Sequence, residues 1–168
     1  GMLFSKDMKK LVQVPDTLPS TVVIPDGVER IEDYVLETGQ YTTVVLPESV
    51  QSIGGAAFWQ TPTLKQIYIP GSLTEFTGSS VFQSSYRLTD VYFGGTAQQW
   101  EALFNPTDVT WPPSYSAPEF HLHAGSTATV VPASCASPGS VTVCCGQCDS
   151  SFTEVLPTLS HNFSSSYT

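Results

Sequence analysis

The chain of 168 residues sets six Lys and Arg against fifteen Asp and Glu, a net charge of −9. Nucleic acid and anionic membrane surfaces both need clustered cations, so that balance excludes them as partners. A hydrophobic content of 40% suits one packed core, while a charged content of only 12% together with 13 Pro and 12 Gly favours strands and turns over long helices. No run reaches the roughly 20 apolar residues of a membrane-spanning helix.

Residues 2–5 (Met2-Leu3-Phe4-Ser5) do not read as a secretion signal, because no basic segment precedes an apolar one. Gly1-Met2 has the look of an expression scar, so the start of the chain says nothing about where the protein works. From Leu3 to Pro15, two short apolar runs flank a charged tip, which predicts a hairpin that caps the next segment.

That segment is built on a phrase that recurs. Val22-Val23-Ile24-Pro25 returns as Val44-Val45-Leu46-Pro47, as Ile67-Tyr68-Ile69-Pro70 and as Val91-Tyr92-Phe93-Gly94, at intervals of 22, 23 and 24 residues. Alternation puts the first and third residues of each phrase on one face of a strand, and Pro, which has no amide to donate, ends it. A second apolar pair comes after each of the first three strands (Val28 and Ile31, Val50 and Ile53, Leu73 and Phe76), and then a third (Val35-Leu36, Ala57-Phe58, Val81-Phe82). A unit of this length cannot bury its apolar face alone and must stack on its neighbours, so the fold class is a mainly β solenoid of short coils.

Gly94-Gly95 breaks the repeat. Thr96 to Phe104 reads as a short helix with Thr96 as its N-cap and with Trp100, Leu103 and Phe104 on one face, closing the last coil. Residues 105–118 form a Pro-rich loop carrying Trp111 and Tyr115, and Phe120-His121-Leu122-His123 is one more strand. His121 and His123 share a face of it, and a pair facing solvent is the plain expectation.

All four cysteines, Cys135, Cys144, Cys145 and Cys148, come late. Cys145-Gly146-Gln147-Cys148 is a knuckle whose spacing lets both sulfurs reach one ion. Cys135 precedes it and His161 comes after it, and two readings stay open. Cys135, Cys145, Cys148 and His161 hold a structural zinc tetrahedrally, with His123 as an alternative fourth ligand. Alternatively the even cysteine count makes disulfides, with Cys135 joined to Cys145 or Cys148. Cys144 is a spare thiol in either case. The flanking Val, Thr and Ser favour strand over the helix N-terminus that a redox-active pair needs.

The coil pattern, fullest in Leu64-Lys65-Gln66-Ile67-Tyr68-Ile69-Pro70 and in Val50-Gln51-Ser52-Ile53-Gly54-Gly55-Ala56-Ala57-Phe58, resembles the repeat of BspA-like leucine-rich proteins. The ending Val91-Tyr92-Phe93-Gly94-Gly95-Thr96-Ala97-Gln98-Gln99-Trp100 and the opening Leu3-Phe4-Ser5-Lys6-Asp7 are similar to that family's as well. Where the family often has Cys after Ala-Phe, this chain has Gly39, Thr61 and Ser85. The cysteine segment resembles a module often attached to bacterial surface proteins. Two domains are expected, a leucine-rich repeat domain over 1–123 and a Cys-rich module over 124–168. The resemblance implies a secreted or cell-surface bacterial protein with an adhesive role.

Tyr68 and Tyr92 hold the strand position between two inward residues, so they face outward one coil apart, with Val45 in the preceding place and Gln66 and Asp90 alongside. Such an apolar-to-aromatic strip suits gripping a protein or stacking on sugar rings, and its plain alternative is cross-strand packing that steadies the sheet. No Gly-x-Ser-x-Gly elbow and no paired carboxylates stand out, so an enzyme is not expected, and no cofactor is required. The expected function is a non-catalytic binding module for host or matrix protein or for polysaccharide, located extracellularly or at the cell surface. A purely structural spacer is the alternative.

Overall fold

The computed structural model describes residues 1–103 and 120–159. The Pro-rich loop with Trp111 and Tyr115, the helix-end Phe104 and the ligand candidate His161 lie outside the described residues. Strands β1 (Leu3–Phe4) and β2 (Lys10–Gln13) pair antiparallel as the expected hairpin. Its tip is tied by the Ser5 hydroxyl donating to Asp7 at 2.6 Å. The hairpin is more than a lid. The far edge of β2 pairs in parallel with β4 (Arg30–Ile31), which pairs with β6 (Ser52–Ile53), which pairs with β8 (Glu75–Phe76). Leu11 thereby joins the ladder of Ile31, Ile53 and Phe76 as its first rung.

The recurring phrases form the opposite sheet. Strands β3 (Thr21–Val23), β5 (Thr43–Val45), β7 (Gln66–Ile69) and β9 (Asp90–Phe93) lie parallel and in register, so Val22, Val44, Ile67 and Val91 are direct neighbours. Strand β10 (His121–Ala124) extends this sheet with His123 beside Tyr92. The inward ladder Ile24, Leu46, Ile69 and Phe93 is buried throughout, at 1% exposure or less. Both sheets and the third apolar row share one core, with Phe58 stacked on Phe82 at 5.4 Å.

The coils close through corners that ask for unusual backbone. Tyr34, Ala56 and Ser80 adopt positive φ at matching places, and so do Thr38, Gln60 and Ser84. A left-handed non-glycine residue costs roughly 1–2 kcal/mol. The compensation is a ladder of coil-to-coil hydrogen bonds along this third side. Leu36 N–H donates to Ala57 at 3.0 Å and Phe58 N–H to Val81 at 3.0 Å, while Thr38 and Gln60 N–H reach Trp59 and Gln83 at 2.8 and 2.9 Å.

Helix α1 (Ala97–Leu103) ends the stack. Thr96 caps it reciprocally with Gln99: the Gln99 N–H donates to the Thr96 hydroxyl at 3.1 Å and the Gln99 side chain accepts from Thr96 N–H at 2.8 Å. Trp100 plugs the open end against Phe93, Phe76 and Phe120 with ring centroids 5.2, 6.4 and 6.0 Å away. A third sheet comes next, antiparallel in the order β11 (Thr127–Val131), β12 (Gly139–Cys144), β13 (Ser151–Leu156). The architecture is thus a mainly β solenoid with a hairpin cap, a closing helix and a small C-terminal sheet. No helix among the described residues is long and apolar enough to cross a membrane.

Candidate functional site

The outer face of the phrase sheet carries one row of side chains, Val23, Val45, Tyr68, Tyr92 and His123, set side by side by the strand register. The strip expected from the sequence is therefore present, but it is not open to solvent. Val45, Tyr68 and Tyr92 are only 2%, 1% and 3% exposed. The third sheet lies over them. Its strands alternate, so Ala128, Val141, Val143 and Phe152 share one face, and that face packs on the row. A three-stranded sheet has no second layer of its own and must bury its apolar face on something. Here the something is the strip that the sequence marked for a partner.

Polar contacts fix the same seam. Glu154 accepts from the Thr43 hydroxyl at 3.4 Å and from the Gln66 amide at 3.3 Å. The Tyr92 hydroxyl meets Ser150 at 2.9 Å, with Phe152 packed edge-on to its ring. Tyr68 donates to the Glu48 carboxylate, and burial, together with that neighbour, pushes the phenol well above its ordinary range. At the far end of the seam the two sheets part and leave a cleft of about 700 Å³. Its walls include Val45, Tyr68 and Pro47 on one side and Val130, Pro132 and Leu156 on the other, with Asp26 and Glu48 among the lining acids.

At the near end sits a second constellation. His123 Nδ1, Cys145 Sγ and Cys148 Sγ all lie within 4.8 Å of one another. His123 Nδ1 is 3.3 Å from Cys148 Sγ, while its Nε2 is 2.9 Å from Asp90 Oδ1. Its ring stacks on Tyr92 at a centroid distance of 4.4 Å, and its side chain is only 12% exposed. His121, 84% exposed and 3.9 Å from Asp90, faces water as expected; His123 departs from that expectation because the knuckle covers it. Burial pushes the Asp90 carboxyl up, but hydrogen bonds from His123 and Thr89 outweigh it and leave the group below its usual range. Burial likewise opposes ionisation of Cys145, yet donors from Cys148 and the adjoining backbone draw its thiol down, while Cys148 is raised by its bond to Cys145. The knuckle is held in place by backbone: Cys145 N–H donates to Ser150 at 2.9 Å and Gly146 N–H to Gly125 at 3.2 Å. Gly146 is required there, since a Cβ would run into the Gly125 carbonyl, and Gly125 itself has φ +68°.

Of the four ligands expected from spacing, the structure brings together Cys145 and Cys148 and recruits His123, the alternative. Cys135 does not join them. It is exposed on the link between β11 and β12. The knuckle succeeds the opposite end of β12, about 17 Å away for a strand of that length. Neither a shared ion nor a bridge from Cys135 to Cys145 or Cys148 fits this arrangement. Cys144 points from the outer face of β12 and takes no part. Sequence reasoning missed Glu154, Ser150 and Phe152 as partners of the strip. The signal was available in the alternation Val141-Thr142-Val143 and Phe152-Thr153-Glu154, which announces a one-sided sheet.

The sequence profile described as the BspA type leucine rich repeat region matches residues 17–107, in six copies. Among solved structures, the chain is similar to a leucine rich cell surface protein from Faecalibacterium prausnitzii A2-165, with 22% identity, a TM-score of 0.34, and coverage of 61% of this chain and 40% of that one. It thus spans two fifths of that protein's length. No curated protein matches the chain.

Proposed function

The chain belongs to the BspA type leucine-rich repeat family, and from that premise we propose that it is a non-catalytic binding module, extracellular or at the cell surface, that takes hold of a protein. Its mode of action is passive. Stacked coils keep their outer surfaces in fixed relation, so little ordering entropy is lost on association. The observation that carries the reading is the cleft between the phrase sheet and the third sheet. Its 700 Å³ lies within the size range of ligand sites. Val, Leu and Pro line it, which suits an extended polypeptide with apolar side chains, and Asp26 and Glu48 suit a basic residue on the same segment.

A polysaccharide is less well served. Sugar stacking needs an open aromatic face, and Tyr68 and Tyr92 are buried under the chain's own third sheet. Val130, 41% exposed on the cleft wall, gives a test that spares the core. A panel of soluble matrix proteins and purified glycans would be measured against the native protein and Val130→Asp. Saturable protein binding that weakens at least tenfold in the variant, with unchanged circular dichroism, supports the reading. Binding that ignores the substitution, or glycan binding alone, overturns it. No saturable binding at all favours a spacer, for which the covered strip is the supporting observation.

A further inference from the structure

We infer that His123, Cys145 and Cys148 form a site for a zinc-type divalent ion, which fastens the end of the repeat stack to the C-terminal sheet. Two features carry the inference independently. The first is convergence. One nitrogen and two sulfurs, drawn from β10 and from the knuckle after β12, lie within 4.8 Å of one another. A tetrahedral ion with Zn–S about 2.3 Å and Zn–N about 2.0–2.1 Å needs its ligand atoms roughly 3.6–3.8 Å apart; the His123 Nδ1–Cys148 Sγ separation of 3.3 Å is close to that, and a pair at the 4.8 Å limit closes by about 1 Å through side-chain rotation.

The second is orientation. Asp90 accepts from His123 Nε2–H at 2.9 Å, which fixes the tautomer and leaves the Nδ1 lone pair aimed at the thiols. A carboxylate that holds the remote nitrogen of an imidazole is the usual second layer of a histidine–metal site. Nothing in simple packing asks for that arrangement: a buried neutral histidine is equally satisfied by a carbonyl. Two sulfurs and one imidazole select a borderline-soft ion over magnesium or calcium, which prefer oxygen. Among the described residues these three are the ligands, and one coordination position remains for a further donor.

The place of the site gives it a role. His123 stands in the solenoid's own sheet, directly beside Tyr92, and the two cysteines belong to the third sheet's knuckle. The ion therefore cross-links the two bodies at one end of the seam, opposite the cleft. Binding to the folded arrangement alone stabilises it by mass action. This inference is separate from the proposed binding of a protein and survives or fails without it.

The test uses the full chain, purified under reducing conditions and dialysed against zinc or cobalt. Metal content by mass spectrometry is expected at one ion per chain, and cobalt is expected to give a thiolate charge-transfer band. Cys135→Ser is expected to keep the metal, while His123→Ala and the paired Cys145→Ser, Cys148→Ser variant lose it. Asp90→Asn, which removes no ligand, is expected to weaken zinc binding about 10–100-fold. Chelation is expected to lower the melting temperature of the native protein and of Cys135→Ser, and to leave the paired-serine variant unchanged. Three results overturn the inference: a substoichiometric metal content after dialysis, metal that His123→Ala retains and Cys135→Ser loses, or a Cys145–Cys148 disulfide in the native protein shown by blocked thiols and peptide mapping.

Discussion

At the residue scale, the places where the family often carries cysteine show how one structural demand is met by three different side chains. Thr61 and Ser85 are both fully buried and both turn their hydroxyls toward the Phe58 carbonyl, at 3.1 and 2.9 Å, while lying 2.7 Å from each other. Two protons serve three contacts, so either hydroxyl alone can satisfy the carbonyl. In the first coil the same space is taken differently. Gly39 has no side chain because a Cβ would collide with the Tyr41 ring, and the Tyr41 hydroxyl swings in to donate to the Leu36 carbonyl. The redundancy in the later coils makes a sharp expectation. Thr61→Val and Ser85→Ala each cost about 1 kcal/mol, the worth of one ordinary hydrogen bond. The double variant orphans a buried carbonyl and costs about 1–3 kcal/mol beyond their sum. Urea unfolding midpoints of the four proteins measure this, and simple additivity contradicts it.

At the scale of elements, legibility tracked locality. The closing helix could be read because its determinants lie within one turn of each other: Thr96 and Gln99 cap reciprocally, and Trp100 and Leu103 share the buried face. The coils could be read because stacking imposes the same pattern on every copy. The hairpin was legible as a hairpin, but its use as the first rung of a sheet was not. Two-residue strands such as Arg30–Ile31 leave too little alternation to announce a partner. The helix offers the element-scale prediction. Trp100 packs on three other rings and is the end wall of the core. Trp100→Ala is expected to cost about 3–5 kcal/mol, the range for deleting a buried aromatic, whereas Thr96→Ala loses only a cap worth about 1 kcal/mol. Chemical denaturation that ranks the two in the opposite order shows that the stack is closed by something other than this helix.

At the scale of the whole molecule, the decisive event is the docking of the C-terminal sheet on the outer strip. Tyr68 and Tyr92 could be assigned to an outward face from register alone, but nothing local in Ile67-Tyr68-Ile69 says what covers it. The cover lies some seventy residues onward, in Val141 and Val143, and sequence separation hides such a pairing. The same reason separates His123 from its cysteine neighbours and made Cys135, nearer in sequence than His123, look like the better ligand. Docking can be tested through two tyrosines buried for different reasons. Tyr41 lies in the solenoid core and Tyr68 in the seam, and burial raises both phenols above the ordinary value near 10. In the unfolded chain both release protons near pH 10, while the folded chain holds them. Above that pH the unfolded state binds fewer protons, so stability is whole below about pH 10 and falls as pH rises past it. Tyrosinate absorbance in the native protein should therefore show Tyr41 and Tyr68 silent until alkaline unfolding. Val143→Asp places a carboxylate in the seam and should lift the third sheet without opening the solenoid. In that variant Tyr68 is expected to titrate lower than in the native protein, still held above its ordinary range by Glu48, while Tyr41 stays silent. Release of both together means that the seam and the core are one cooperative unit. Release of neither means that the sheet tolerates the charge and that its hold on the strip does not depend on Val143.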